Sequence, residues 1–246
     1  MTGARPRVAV FRPADERIEE AVDLLEDLGA TPVPDPMLAI EPTGATPRTD
    51  GAYTVLTSKT GVELAASAGW EPGASTLVTI GPSTAEAAES AGFEVGFVPD
   101  EYTSAGLVQA LESEVDGERV EIARSDHGSQ VLLDGLGAAG AYLHETILYE
   151  LVVPDGAGDS VELAARGDLD AALFTSSLTV EHFLAVARDR GVESDVRGGL
   201  DGAVVAAIGS PTAETAAASG LTVDIVPESA DFEALARRAL EDLDPT

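Results

Sequence analysis

A chain of 246 residues, 44% hydrophobic and 24% charged, has globular composition, and its length beyond the roughly 100 to 200 residues of one domain points to two. No apolar run approaches the ~18 residues of a spanning helix, the absence of cysteine excludes disulfide and thiol chemistry, and the scattered His127, His144 and His182 lack metal-ligand spacing. Fourteen basic against 44 acidic residues leave a net charge of −30 spread along the chain, which argues against a nucleic-acid partner, since phosphate backbones are bound by neutralising them.

Lys59 is the single lysine. A carboxylate-rich, lysine-poor surface repels itself in dilute buffer and is screened in ~1 M salt, where the Debye length is about 3 Å, so a halophilic cytosol is expected. Residues 1–7 lead straight into an apolar run without the pattern of an export signal, which also points to the cytoplasm.

In chain order, apolar β-branched runs alternate with helical periodicity. Residues 8–11 predict a strand, and 18–28 a helix that stops at Gly29. The runs 55–56 and 77–80 predict strands followed by helices over 61–68 and 84–91, the second ending at Gly92. Further on, 120–123 precedes a helix from about 130 to 139, 171–174 precedes one over 180–187, 204–208 precedes one over 213–219, and a closing helix spans 232–243. This rhythm means an α/β fold with parallel sheets flanked by helices. Proline- and glycine-rich stretches at 31–47 and 154–158 are natural places for the chain to cross between domains.

The chain also repeats itself. Val55-Leu-Thr-Ser58 is answered by Leu173-Phe-Thr-Ser176, and Val62-Glu63 by Val180-Glu181, at an offset of 118 residues. Thr79-Ile-Gly-Pro-Ser-Thr-Ala-Glu86 is answered by Ala207-Ile-Gly-Ser-Pro-Thr-Ala-Glu214 at an offset of 128, so the second copy has ten extra residues between its motifs. Two related lobes follow from this duplication, and a cleft between such lobes is a favoured place for a small-molecule site.

Thr57, Ser58, Thr175 and Ser176 fall between a strand and a helix, where hydroxyls cap free N–H groups and the helix start attracts anions; either pair also suits capping alone. The turns holding Ser83 and Thr84, and Pro211 and Thr212, have glycine for close backbone approach, and they fit anion cradles or plain N-capped turns. Neither is a nucleotide-binding glycine loop. Arg12 and Arg124 each end a predicted strand, where a guanidinium suits a carboxylate ligand or an ordinary ion pair. Tyr149 fits a strand aromatic at a domain junction.

Taken together and in this order, these residues resemble the uroporphyrinogen-III synthases. The resemblance rests on 8–13 with its Arg-Pro, the two Thr-Ser turns, 81–85, the Glu-Tyr-Thr-Ser-x-Gly-Leu of 99–111, 122–128, Leu148-Tyr149, 206–214 and 226–235, and it covers nearly the whole chain. It implies two α/β lobes joined by a two-strand linker with a cleft between them. Lobe 1 would be residues 1–34 plus 152–246 and lobe 2 residues 39–148, with linkers near 35–38 and 149–151. The implied substrate is hydroxymethylbilane, a linear tetrapyrrole with eight carboxylates, which loses its terminal hydroxyl as water and closes through a spiro intermediate that inverts ring D.

The resemblance implies no cofactor and no metal, a monomer, and an upstream deaminase as the source of substrate. It assigns Tyr149 to hydrogen bonding with the leaving hydroxyl. Substrate carboxylates fall to Arg12, Arg124, Thr57, Ser58, Ser83, Thr84, Thr175, Ser176, Pro211 and Thr212, Pro211 offering no N–H of its own. Ser210-Pro211 departs from the family's Pro-Thr, which removes the first threonine of that turn. A non-catalytic tetrapyrrole- or anion-binding regulator of the same fold is the alternative. A two-lobed solute-binding protein would be expected to carry an export signal.

Overall fold

The computed structural model describes residues 5–243. Its elements, in chain order, are β1 (Arg7–Phe11), α1 (Glu16–Asp27), β2 (Thr31–Pro34), β3 (Ala39–Pro42), β4 (Tyr53–Leu56), α2 (Lys59–Ser67), β5 (Thr76–Thr79), α3 (Pro82–Ser90), β6 (Val95–Phe97) and α4 (Ser104–Leu111). There follow β7 (Arg119–Ser125), α5 (Gln130–Ala138), β8 (Tyr142–Val152), α6 (Asp159–Ala165), β9 (Ala171–Phe174), α7 (Ser177–Asp189), α8 (Glu193–Leu200), β10 (Val204–Ala207), α9 (Ser210–Ala218) and α10 (Phe232–Leu243). The chain divides into two compact units, Met1–Ala39 with Val152–Thr246, and Ile40–Leu151.

The first unit holds a four-stranded sheet in the order β10-β9-β1-β2, parallel throughout. Val8 to Phe11 are fully buried although they alternate between faces, because both faces are covered. Ala9 and Phe11 join a core with α6, α7, α8 and α9, while Val8 and Val10 join one with α1 and α10. Phe11 stacks on Phe174 with ring centroids 4.6 Å apart, and Phe183 meets both edge-on. Where α6 and α8 cross, a Cβ on Gly199 would lie 1.7 Å from the Ala164 carbonyl oxygen, so only glycine allows the approach.

The second unit holds a six-stranded sheet in the order β3-β8-β7-β4-β5-β6. The pairings from β8 to β6 are parallel. Leu56, Leu77 and Ala123 pack under α2 and α3 on one face; Val55, Val78 and Ile122 pack against α4 and α5 on the other. The α/β class and the parallel sheets are therefore as the alternation indicates. Residues 31–47 contain β2 and β3 besides connecting chain. The ten extra residues of the second repeat fall between the start of α7 and β10, where α7 runs longer than α2 and α8 is added.

Each sheet has a point where the strand order reverses. In the first unit the chain passes from β1 to β2 on one side and returns to β9 on the other; in the second it passes from β4 to β5, then to β7 on the far side. Ligands of open α/β sheets sit outside the carboxyl ends of strands at such points.

Candidate functional site

In the second unit, Thr57 and Ser58 follow β4 at the reversal point, and Ser58 is the N-cap of α2. Its Oγ accepts the Gly61 N–H at 3.0 Å and the Tyr149 hydroxyl at 3.0 Å. Both lone pairs of that hydroxyl are then engaged, so its own proton is left to donate to a ligand. The capping turn is tight: a Cβ on Gly61 would lie 3.1 Å from Ser58 Oγ and 3.2 Å from Leu148.

A register shift brings Tyr149 to this place. Arg124 pairs with Ile147 but Ser125 pairs with Tyr149, so the ladder skips one residue of β8. Such a bulge re-aims side chains, and as a result the consecutive Leu148 and Tyr149 both enter the core beneath α2. Tyr149 is 7% exposed. The bulge is tied down by the Asp126 N–H donating to the Tyr149 carbonyl at 3.3 Å and the Leu151 N–H donating to Asp126 Oδ1 at 3.0 Å. Burial would raise the Asp126 pKa; hydrogen bonds from His127 and from the Leu151 amide outweigh it and hold the carboxyl below its usual value.

Arg124 ends β7 in a different environment from the one its position suggests. Its side chain is buried, with Nε donating to Glu145 Oε1 at 2.5 Å and Nη1 to the Ser129 carbonyl at 2.6 Å. A Cβ on Gly128 would lie 2.4 Å from Arg124 Cδ, so the 125–129 turn closes directly over it. The third group in this unit starts α3. Gly81 is its N-cap and offers no side-chain cap, Pro82 opens the helix, Ser83 is exposed and Thr84 is buried.

In the first unit, Thr175 follows β9 and donates its hydroxyl to the Phe11 carbonyl at 2.5 Å, joining the two strands at the reversal point. Ser176 caps α7 reciprocally with Thr179: its Oγ accepts the Thr179 N–H at 3.2 Å, and Thr179 Oγ1 accepts the Ser176 N–H at 3.3 Å. At the start of α9, Gly209 gives no side-chain cap and Thr212 is buried. The Pro211 carbonyl accepts from the Ser177 hydroxyl at 3.1 Å and the Thr215 hydroxyl at 3.0 Å, a link the sequence motifs do not reveal.

Arg12, just past β1, is half-buried. Nη1 donates to the Arg17 carbonyl at 3.4 Å and the guanidinium carbon lies 4.8 Å over the centroid of Phe232. Burial first, then the neighbouring Arg17, lowers its pKa from the usual arginine value against the opposing pull of Glu20 and Asp15.

The candidate residues thus gather at carboxyl strand ends in each unit, with Tyr149 and Ser58 in direct contact. A second polar cluster has no counterpart among the sequence motifs. Glu121, 1% exposed, accepts the Thr146 hydroxyl at 2.5 Å and lies 2.7 Å from His144 Nδ1. Among the described residues no group of three or more His, Asp or Glu is placed to hold a metal ion, and no helix is long and apolar enough to cross a membrane.

Duplicated parallel α/β units with hydroxyl-bearing helix starts at their reversal points have the form of an α/β protein suited to an anionic small molecule. Residues 19–237 match the family model described as Uroporphyrinogen-III synthase HemD. The chain belongs to the uroporphyrinogen-III synthase family, a family of enzymes. It is 31% identical over 237 residues to a Methanothermobacter thermautotrophicus protein named "Putative uroporphyrinogen-III synthase", covering 90% of this chain and 92% of that protein. A mutant uroporphyrinogen III synthase from the extremely thermophilic bacterium Thermus thermophilus shares the fold at a TM-score of 0.65 and 20% identity, over 96% of this chain and 99% of its own. The Helicobacter pylori uroporphyrinogen-III synthetase does so at 0.57 and 14%, over 97% and 99%.

Proposed function

We propose that the chain cyclises hydroxymethylbilane to uroporphyrinogen III, with loss of water and inversion of ring D through a spiro intermediate. The observation that carries this reading is the Tyr149–Ser58 contact, 3.0 Å at the start of α2, inside the segment matched by the family model. The pyrrole nitrogen supplies the electron pair that expels the terminal hydroxyl, so the protein needs a hydrogen-bond donor at that oxygen rather than a strong acid. Tyr149, the residue expected to hydrogen-bond the leaving hydroxyl, gives its proton to Ser58 instead, so Ser58, with both lone pairs filled, is the donor in this reading and Tyr149 assists through the same chain of hydroxyls.

Positioning does the rest, because holding the folded chain with the right carbons in contact replaces an improbable encounter by an intramolecular one. Backbone N–H groups around Thr57, Ser83, Thr175 and Thr212 receive substrate carboxylates at the positive ends of helices, whereas the N–H groups of Thr84 and Ser176 are already given to the Gly81 carbonyl and to Thr179 Oγ1. Arg12 adds a full charge. The distributed acidity suits a cytosol of high salt, in which the enzyme works as a monomer on substrate released by the upstream deaminase and requires no metal or cofactor.

The test is a coupled assay in molar KCl: hydroxymethylbilane is generated by the deaminase, this protein is added, the products are oxidised, and the I and III isomers are separated. Predominant III isomer is expected. Only the spontaneously formed I isomer, with the protein verified as folded, would leave a non-catalytic anion-binding role in its place.

A further inference from the structure

Arg12 stands apart from the other arginines that are at least partly withdrawn from solvent. Arg124, Arg190 and Arg197 each contact a carboxylate at 2.5 to 2.8 Å. Arg12 makes no ion pair among the described residues, in a chain with 44 acidic side chains. An unpaired, half-buried guanidinium is unfavourable unless something supports it, so its supports are informative.

Besides the Arg17 carbonyl, which accepts from Nη1 at 3.4 Å, and the attraction of Glu20, two features account for it. Asp15 is the acid nearest in sequence, and Arg17 occupies it: Nε lies 3.0 and 3.1 Å from the two carboxylate oxygens and Nη2 lies 2.5 Å from Oδ2. The same carboxylate accepts the Arg17 N–H at 3.0 Å and so caps α1. The second feature is Phe232, the first residue of α10, buried at 7% exposure and packed into the core under Val8 and Val10. Its ring attracts the cation through the π face, which uses none of the guanidinium N–H donors.

We propose that Phe232 is a positioning residue that seats Arg12, and that Arg17 keeps Asp15 off it, so that the guanidinium stays open to a substrate carboxylate at the end of β1. This rests on the assignment of Arg12 to substrate binding made above. Acting through Arg12, Phe232 affects affinity for the anionic substrate and leaves the chemical step alone.

Steady-state kinetics on hydroxymethylbilane in molar KCl test it. Phe232→Leu, which keeps an apolar side chain but removes the ring, is expected to raise KM about three- to tenfold with kcat within about twofold. Phe232→Trp restores KM, and Phe232→Leu adds nothing in an Arg12→Ala background. Arg17→Gln, an exposed change that does not touch the core, frees Asp15 to pair with Arg12 and raises KM likewise, and Asp15→Asn added to it restores the value. An unchanged KM in folded Phe232→Leu or in Arg17→Gln overturns the proposal, as does an equal rise in the Arg12→Ala background. Failure of the wild-type protein to form the III isomer is a separate readout that sinks the underlying substrate assignment and the proposal with it.

Discussion

Removing the Tyr149 hydroxyl tests the central contact with little else changed. In Tyr149→Phe the ring stays packed beneath α2, so no cavity forms; what is lost is one hydrogen bond to Ser58, 3.0 Å long. The expected loss of folding stability is about 1 kcal/mol, that of one neutral hydrogen bond. The expected loss in kcat is larger, on the order of 10- to 100-fold, because in the proposed reaction the bond orients the donor to the leaving hydroxyl; in barrier terms that is about 1.4 to 2.7 kcal/mol. Ser58→Ala removes the proposed donor itself and also the N-cap of α2, which costs about 1 kcal/mol of stability. If the two hydroxyls act as one chain, the double variant is no slower than Ser58→Ala alone. The assay is the initial rate of III-isomer formation across substrate concentrations, with folding followed by circular dichroism. A Tyr149→Phe enzyme with kcat within twofold of wild type, or a double variant whose loss is the product of the single losses, would refute the reasoning.

KM for the polyanionic substrate should fall as KCl rises from about 0.1 to 2 M, since screening weakens repulsion by a protein of net charge −30; a KM that rises, at salt levels where dichroism is constant, goes against this. Glu121→Ala should cost roughly 2 to 4 kcal/mol in urea unfolding, because it strands the buried Thr146 hydroxyl and removes the partner of His144, whereas a loss under about 0.5 kcal/mol would show that the cluster contributes little. Arg17 hydrogen bonding holds the Asp15 carboxyl below its usual 3.8. Its contribution is therefore complete above that value and lost as pH falls through the depressed one, so the stability gap between wild type and Asp15→Asn should be flat from neutrality to about pH 5 and close below pH 4. A gap independent of pH in acid titrations would contradict that sign.

The parts of the fold that could be read in the sequence are those whose signal is local. The buried runs of β1 and β9 are continuous apolar stretches because both faces are covered, and the helices after them end at glycines such as Gly29, with φ +87°, where a side chain would be strained. Elements held by distant partners are silent. β2 contains Pro32 and Pro34 and survives as a strand because it lies at the sheet edge, where one side needs no N–H donor. The start of α6 depends on Asp35, whose carboxylate accepts the Gly158 and Ser160 N–H groups and the Ser160 hydroxyl. α8 contains two glycines and reads as a loop until Gly199 is seen against α6. At the site, Ser58 was legible as a cap, but its bond to Tyr149 spans 91 residues and depends on a bulge that nothing in the local pattern announces.

The two strand-end arginines show how far such a pattern reaches. Arg12 and Arg124 look alike as residues: each closes an apolar strand, and each suits a carboxylate ligand. What separates them is Glu145 on the neighbouring β8, which the parallel register of β7 and β8 brings to Arg124 and for which Arg12 has no counterpart. A guanidinium already given to a carboxylate and to the Ser129 carbonyl holds the 125–129 turn, and through that turn the bulge that delivers Tyr149. Arg124→Ala should therefore lower unfolding free energy by roughly 2 to 4 kcal/mol, toward the lower end because Glu145 retains access to water, and should depress kcat by loosening Tyr149. Arg12→Ala should leave stability nearly unchanged and raise KM. If instead Arg124→Ala unfolds at the wild-type urea midpoint and its only defect is in KM, then Glu145 is a partner that the substrate displaces, and both arginines are ligands after all.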